Sequence, residues 1–382
     1  MSEKRISLAD LEFAHALMWD VYDAAGRQVM QAGEFLIDAA ELVALAEEGL
    51  FAHAPPGGMA GDASAVAGPA SGGLEVLEIH SVLQTINACN DQLEQLLPDL
   101  AAAPKAAHKI RAIVAQLQAA LDVQRDIALG CIFLKQIAGA YAIRHCIETA
   151  LLTLIIARAD GMSEAECISI ACAALTMNIG MLDIHEQLQT RNALSELEKQ
   201  AIADHPERSV AILHTAGVTD VLWIDCVLHH HEVEDGSGYP YGLEEKQVPY
   251  AARLLAMCDR YCAQVSARNY RRCMRPDMAL QALQTGHPQD TRIWQVLARE
   301  LGPYPPGALV RLANGETGVV SHQAAQDQRA HILFDAAGHA VLYQNLERVC
   351  NSGPFEIHHC LHQDEVDIRF HMKQIWGQLA SD

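Results

Sequence analysis

Residues 230–240 read HHEVEDGSGYP. Two adjacent histidines close an apolar, helix-like stretch, TDVLWIDCVLHHH, and a glycine-rich turn follows at once. Imidazole nitrogens are good ligands for first-row metals, so two histidines leaving one helix end can converge on one ion. Gly236 and Gly238 allow a tight backbone excursion, and Tyr239-Pro240 stiffens its tip. A histidine-rich helix end favoured by the helix dipole would use the same residues. Taken alone, the run leaves both readings open.

Outward from it, residues from about 74 to 302 form one predominantly helical domain. Leu74 to Leu97 and Ala106 to Leu134 repeat apolar residues at spacings of three and four. Ala140 to Ala157 is apolar on most faces, which predicts a central buried helix. Ser163 with Glu166 forms a capping-box pattern before the next helix, which runs into AALTMNIGMLDI. LSELEKQAIAD, PERSVAILHTAG and PYAARLLAMCDRYCAQVSA predict further, separate helices. DGSGYPYGLEEKQ, between TDVLWIDCVLHHH and PYAARLLAMCDRYCAQVSA, is an exposed loop by its glycines.

The flanks differ in character. Residues 1–53 form a small α+β module, with a hairpin turning at Asp23-Ala24-Ala25-Gly26 and a helix in DAAELVALAEEGL. Residues 54–73 are nearly all Ala, Gly, Pro and Ser, too poor in large apolar groups to order themselves, and read as a flexible linker. Residues 303–382 alternate apolar and polar around Asn314-Gly315 and Asp335-Ala336-Ala337-Gly338, giving a β-module of three or four strands and a tail. The tail histidines, His358, His359, His362 and His371, show no recurring ligand spacing and read as solvated or locally hydrogen-bonded.

Across the 382 residues, 27 basic against 48 acidic side chains give a formal charge of −21. Polyphosphate surfaces and anionic lipid would repel such a chain, so neither nucleic acid nor membrane is an expected partner. A small anion needs only a local basic cluster. No apolar run approaches the ~20 residues of a membrane span, and eleven scattered cysteines without a CxxC pair fit reduced thiols in a cytoplasm.

Residues 230–240 resemble the HHxxxDGxGYP signature of the HD-GYP family, and further motifs follow the family's order from about Ala140 to Leu283. Arg144-His145 is similar to its first-helix histidine. Leu194 to Glu198 with His205-Pro206 resembles its middle section, and Asp259-Arg260-Tyr261 with Ala267 to Arg271 its metal-binding aspartate and basic segment. The resemblance implies an HD-type helical bundle that binds two or three metals and hydrolyses the bacterial messenger cyclic di-GMP. It implies metal ligands at His145, His205, His230, His231 and Asp259. Arg268 and Arg271 fall on its phosphate-contacting positions, while Arg272 and Arg275 do not. Asp235, Gly236, Gly238, Tyr239 and Pro240 fall on the loop associated with GGDEF-domain diguanylate cyclases.

One stretch departs from the pattern. Where the family reads HDIGK, this chain reads Met177-Asn178-Ile179-Gly180-Met181. A neutral amide cannot offset the repulsion of two dications, about 16 kcal/mol at ~4 Å and an effective dielectric of ~20. Thioethers are poor ligands for hard cations. Asp183 and His185 stand too far along the chain to take over these positions. A full binuclear site is therefore not expected. One divalent ion (Zn, Fe, Mn or Ni) on His205, His230 and His231, with Asp259 as fourth ligand, is. The expectation is a catalytically degenerate, cytoplasmic regulator that binds cyclic di-GMP or a GGDEF protein; the alternative is an active phosphodiesterase with a rearranged metal site. The helices before Ala140 leave homodimerisation and core packing both open.

Overall fold

The computed structural model describes the backbone of residues 3–6, 21–23, 28–30 and 50–53. It describes in full residues 81–184, 195–244, 247–266, 273–286, 290–324, 326–341, 346–366 and 370–381. The expected linker at 54–73 lies outside these, as does all of the expected N-terminal helix except Leu50. The chain divides into two compact units, Met1–Ile79 and His80–Asp382.

In the first unit β1 (Glu3–Ile6), β2 (Val21–Asp23), β3 (Gln28–Met30) and β4 (Leu50–His53) form an antiparallel sheet in the order β1-β4-β2-β3. The β2–β3 hairpin brackets the turn read at Asp23 to Gly26, with Val21 opposite Met30.

The second unit is built around α3 (Tyr141–Ala159), which buries sixteen of its nineteen residues and is the central helix that its apolar faces predict. Around it stand α1 (Val82–Leu96), α2 (Ala106–Phe133), α4 (Glu164–Thr176), α5 (Glu196–Thr215), α6 (Val221–His229), α7 (Tyr250–Val265), α8 (Pro276–Gly286) and α9 (Thr291–Leu301). The Ser163–Glu166 capping box opens α4 as expected, and Ser195 with Glu198 opens α5 in the same way. The segment Glu164–Ile184 has mean hydropathy 1.7, high enough for a membrane span, but 78% of that apolar window is buried inside the protein. It is a core segment here.

Three expectations need correction. LSELEKQAIAD and PERSVAILHTAG are one helix, α5, which carries Pro206 inside it. A proline cannot donate to the carbonyl four residues back. That carbonyl, on Ile202, instead faces the Nδ1 of His205 at 2.6 Å, so the helix continues. The long helix from Ala106 is interrupted, because Gln124 is extended (φ −160°, ψ 99°). The C-terminal sheet has five strands, β5 (Leu309–Leu312), β6 (Thr317–Ala324), β7 (Asp327–Phe334), β8 (Glu347–Val349) and β9 (Ile357–Cys360), in the order β8-β7-β6-β5-β9. His358 and His359 thus sit in a strand, with His359 paired to Arg311, and their rings are hydrogen-bonded to each other at 2.7 Å, as the local reading expects.

One sheet face, with Leu309, Val319 and Leu333, joins the helical core; Val310, Val320, Ala330 and Ile332 form a second, smaller core. The change at residue 303 is therefore one of secondary structure and not a break in packing. A short helix, α10 (Lys373–Trp376), closes the chain, and Trp376 donates to the Ser321 carbonyl at 2.7 Å. All eleven cysteines are free and all but Cys273 are buried; burial pushes the thiols of Cys146 and Cys258 up to about 12, which keeps them protonated and inert.

Candidate metal site

The end of α6 is fixed by its start. Asp220 accepts the Trp223 backbone N–H at 3.1 Å as N-cap, and the Trp223 indole donates to Thr176 of α4 at 2.8 Å. The helix therefore delivers His230 and His231 to a set place. His205 arrives from the turn of α5 around Pro206.

Backbone carbonyls set the ring tautomers. Nδ1 of His205 bonds to Ile202 O at 2.6 Å, and Nδ1 of His230 bonds to Val227 O at 2.7 Å. A carbonyl only accepts, so both Nδ1 atoms carry protons when the rings are neutral, and both Nε2 atoms present lone pairs. Those two Nε2 atoms face each other at 3.3 Å. Two lone pairs so placed repel unless a cation joins them. Two nitrogens on one tetrahedral ion with bonds of ~2.0–2.1 Å stand about 3.3–3.4 Å apart. His231 completes the set, with one ligand atom from each ring within 4.8 Å of the others.

Electrostatics favour the ligand form of all three. Burial, with the neighbouring His230 adding to it, pushes His205 down to about 3. Burial also lowers His230, and lowers His231 well below the usual range. Neutral imidazole is the metal-binding species. Asp259 on α7 supplies the compensating charge. Burial works to raise its pKa, but the hydrogen bond and charge of His145, aided by His231 and His230, outweigh that and hold it well below the carboxylate range.

Of the metal ligands implied by the sequence, His205, His230 and His231 converge directly. His145 and Asp259 stand beside them but bond to each other, Nε2 to Oδ1 at 2.7 Å. Tyr141 stacks on His145 with ring centroids 5.4 Å apart and planes 12° from parallel, which fixes that ring.

The loop Asp235 to Pro240 folds back over the trio. Gly238 passes so close that a Cβ there would stand 2.4 Å from Val233 N and 2.6 Å from His231 O. Tyr239 N–H donates to His231 O at 3.2 Å, and the Tyr239 ring covers His231 at 4.6 Å. Gly236 adopts φ +75°, a conformation that glycine takes without strain. Glu232, 2% exposed, clasps the far side by accepting the N–H groups of Tyr241 at 2.7 Å and Leu243 at 2.9 Å. Glu232→Ala removes two charge-assisted bonds and is expected to cost about 3 kcal/mol, with Glu232→Gln losing less. Thermal unfolding of both variants checks the order.

Met177, Asn178 and Met181 are all buried, at 0%, 6% and 7% exposure. The frame around them is tight: Ser209 Oγ accepts from Gly180 N–H at 2.9 Å and donates to Met177 O at 2.8 Å. Asn178 Oδ1 is sealed from solvent with no hydrogen-bond partner among the described residues. The three neutral imidazoles suit one divalent cation, while Asp259, tied to His145, is not among the converging ligand atoms. The pocket does not suit two, since neither methionine offers a donor for a hard ion and the asparagine carries no charge.

Asp183 is exposed beyond this turn, and His185 lies outside the described residues. Arg268, Arg271 and Arg272 also lie outside them, so their placement as ligand contacts is not described. Arg275 is tied into the fold, bonding to Asp277 and to the Cys360 carbonyl, both at 3.2 Å. Among the described residues the trio is the only group of three or more arranged for a metal, and the C-terminal histidines form no such group.

The sequence reading missed Tyr141, Glu148 and Glu232 as parts of the site. Glu148 is wholly buried, accepts a hydrogen bond from Ser266, and lies 3.4 Å from Arg144 Nε. The signal was available: Tyr141, Arg144, His145 and Glu148 recur at helical spacing on one face of an otherwise apolar helix.

A family model described as an HD domain matches residues 133–292. A cyclic di-GMP phosphodiesterase of Pseudomonas aeruginosa is 27% identical over 63% of this chain and 59% of its own length. One of Thermotoga maritima is 32% identical over 34% of this chain and 35% of its own. A cyclic di-GMP phosphodiesterase response regulator of Xanthomonas campestris is 32% identical over 38% of this chain and 39% of its own. The chain thus matches less than two thirds of each of these relatives. A solved HDGYP-type protein of Bdellovibrio bacteriovorus aligns with TM-score 0.48 and 11% identity over 78% of this chain and 98% of that one. Residues 133–292 thus match an HD domain, and with its histidines followed by a GYP-bearing loop the chain is similar to the HD-GYP family.

Proposed function

We propose that this protein is a cytoplasmic member of the cyclic di-GMP signalling system that binds the messenger without hydrolysing it by a paired-metal route. On this reading it acts as a regulator, through bound cyclic di-GMP or through a GGDEF-domain cyclase docked on the Asp235 to Pro240 loop. The observation that carries the reading is selective loss. Met177, Asn178 and Met181 occupy the chemical positions of the motif, while the Gly180–Ser209 frame, the histidine trio and the loop are kept. With one ion (Zn, Fe, Mn or Ni), the bridging charge needed to generate and hold a hydroxide nucleophile between two metals is missing.

An active phosphodiesterase with a rearranged site is the second reading. It is favoured by the relatives, which are named as phosphodiesterases, and by Asn178 Oδ1, an oxygen with lone pairs left for a cation.

Elemental analysis, calorimetry with cyclic di-GMP and a chromatographic hydrolysis assay on the full chain separate the two. The regulator reading expects one metal equivalent, saturable binding and no linear dinucleotide or GMP. Two equivalents with turnover would support the enzyme. Zinc at 100-fold over its Kd is expected to stabilise the fold by about 2.7 kcal/mol. For a unit of ~300 residues that raises Tm by about 4 °C, and chelator should reverse it.

A further inference from the structure

Arg260 follows Asp259 on α7 and is half-buried. It lies near Asp259, Asp290 and Tyr239, and near enough to His230 and His231 for its charge to disfavour their protonation. The acids around it are already committed. Asp259 is bonded to His145 at 2.7 Å, and Asp290 is paired with Arg253 at 3.1 Å. Glu234 of the loop is held by the same Arg253 at 2.7 Å.

Among the described residues Arg260 makes neither an ion pair nor a hydrogen bond. None of its nitrogens is sealed from solvent without a partner, in contrast to Nε of Arg144 and Nε of Arg253. Its guanidinium donors are therefore, among the described residues, free for a ligand. A half-buried cation whose donors have no partner among the described residues suits an anion. A divalent ion on the trio would sharpen that need by tipping the cluster's charge towards positive.

We propose that Arg260 is an anion anchor of this pocket, holding a phosphate group of the ligand beside the cation site. The planar fork of a guanidinium takes two phosphate oxygens at once. The inference rests on the cyclic di-GMP reading for its natural ligand but extends to a residue outside the Arg268–Arg271 segment.

The test uses the full zinc-loaded chain, with inorganic phosphate and cyclic di-GMP as separate calorimetric probes. Arg260→Met, which keeps the stem volume, is expected to weaken both at least tenfold. Arg260→Lys, which keeps charge without the fork, should fall between. If Arg260→Met does not fold, Arg260→Lys carries the test, and wild-type affinity in it overturns the proposal. Binding by Arg260→Met within twofold of wild type, or no binding of either probe by wild type, also overturns it. Phosphate bound by wild type and lost in Arg260→Met, with cyclic di-GMP bound by neither, leaves the anchor standing and removes the cyclic di-GMP reading.

Discussion

Met177→His, Asn178→Asp and Met181→Lys, made together, are expected to raise bound metal from one equivalent to two and to switch on hydrolysis of cyclic di-GMP. The rise over wild type should be roughly 100-fold or more, the scale on which a metal-generated nucleophile acts. The frame makes this a test of chemistry alone. Gly180 lies against the backbone of His205 and Ser209, and Ser209 pins both Met177 O and Gly180 N–H. A side chain at position 178 is therefore carried on a turn packed directly against the turn bearing His205. Aspartate there restores the charge that offsets about 16 kcal/mol of repulsion between dications ~4 Å apart. The single change Asn178→Asp should add metal affinity but little turnover, because the donors at 177 and 181 are still missing. Two metals without turnover in the triple variant would place the defect elsewhere in the pocket. A single metal would mean that position 178 does not face the trio.

How much of this was legible beforehand depends on the range of the interactions involved. The Ser163–Glu166 cap and the burial of α3 are local or periodic facts, and both were readable. The meeting of His205 with His230 across 25 residues of chain became readable only through the motif order of the family. Pro206 misled because the rule against proline in helices considers the backbone alone. The Ile202 carbonyl it orphans is taken by the ring of His205, a long side chain reaching back one turn. Strands β8 and β9, three and four residues long, are too short to show alternation, and β9 finds β5 only after the chain has returned across the sheet. Arg260 escaped attention for a related reason. Its meaning lies in Asp259 and Asp290 being taken by other partners, and no local pattern carries that information.

Gly180→Ala should be among the most damaging single substitutions in the protein. The added Cβ would stand 2.4 Å from His205 O, 2.7 Å from Ser209 N and 2.9 Å from Arg208 Cβ. Two of these are backbone atoms inside α5, which cannot rotate away as a side chain tip can. Either the 177–181 turn lifts off, breaking both Ser209 bonds, or α5 shifts and takes His205 with it. Overpacking of this kind costs about 3 kcal/mol, and the loss of two hydrogen bonds adds about 2 kcal/mol. The 3.3 Å spacing of the His205 and His230 Nε2 atoms would be lost with any shift of α5, so zinc affinity should drop at least 100-fold. Gly286→Ala is the control, because a Cβ at the end of α8 meets nothing within 4 Å. It should leave zinc binding unchanged and stability within about 1 kcal/mol of wild type. Chemical denaturation and zinc titration on both variants decide the matter. Unfolding without loss of zinc affinity in Gly180→Ala would show that the turn moves and α5 does not, which makes this glycine a packing residue of the degenerate motif and not a determinant of the metal site.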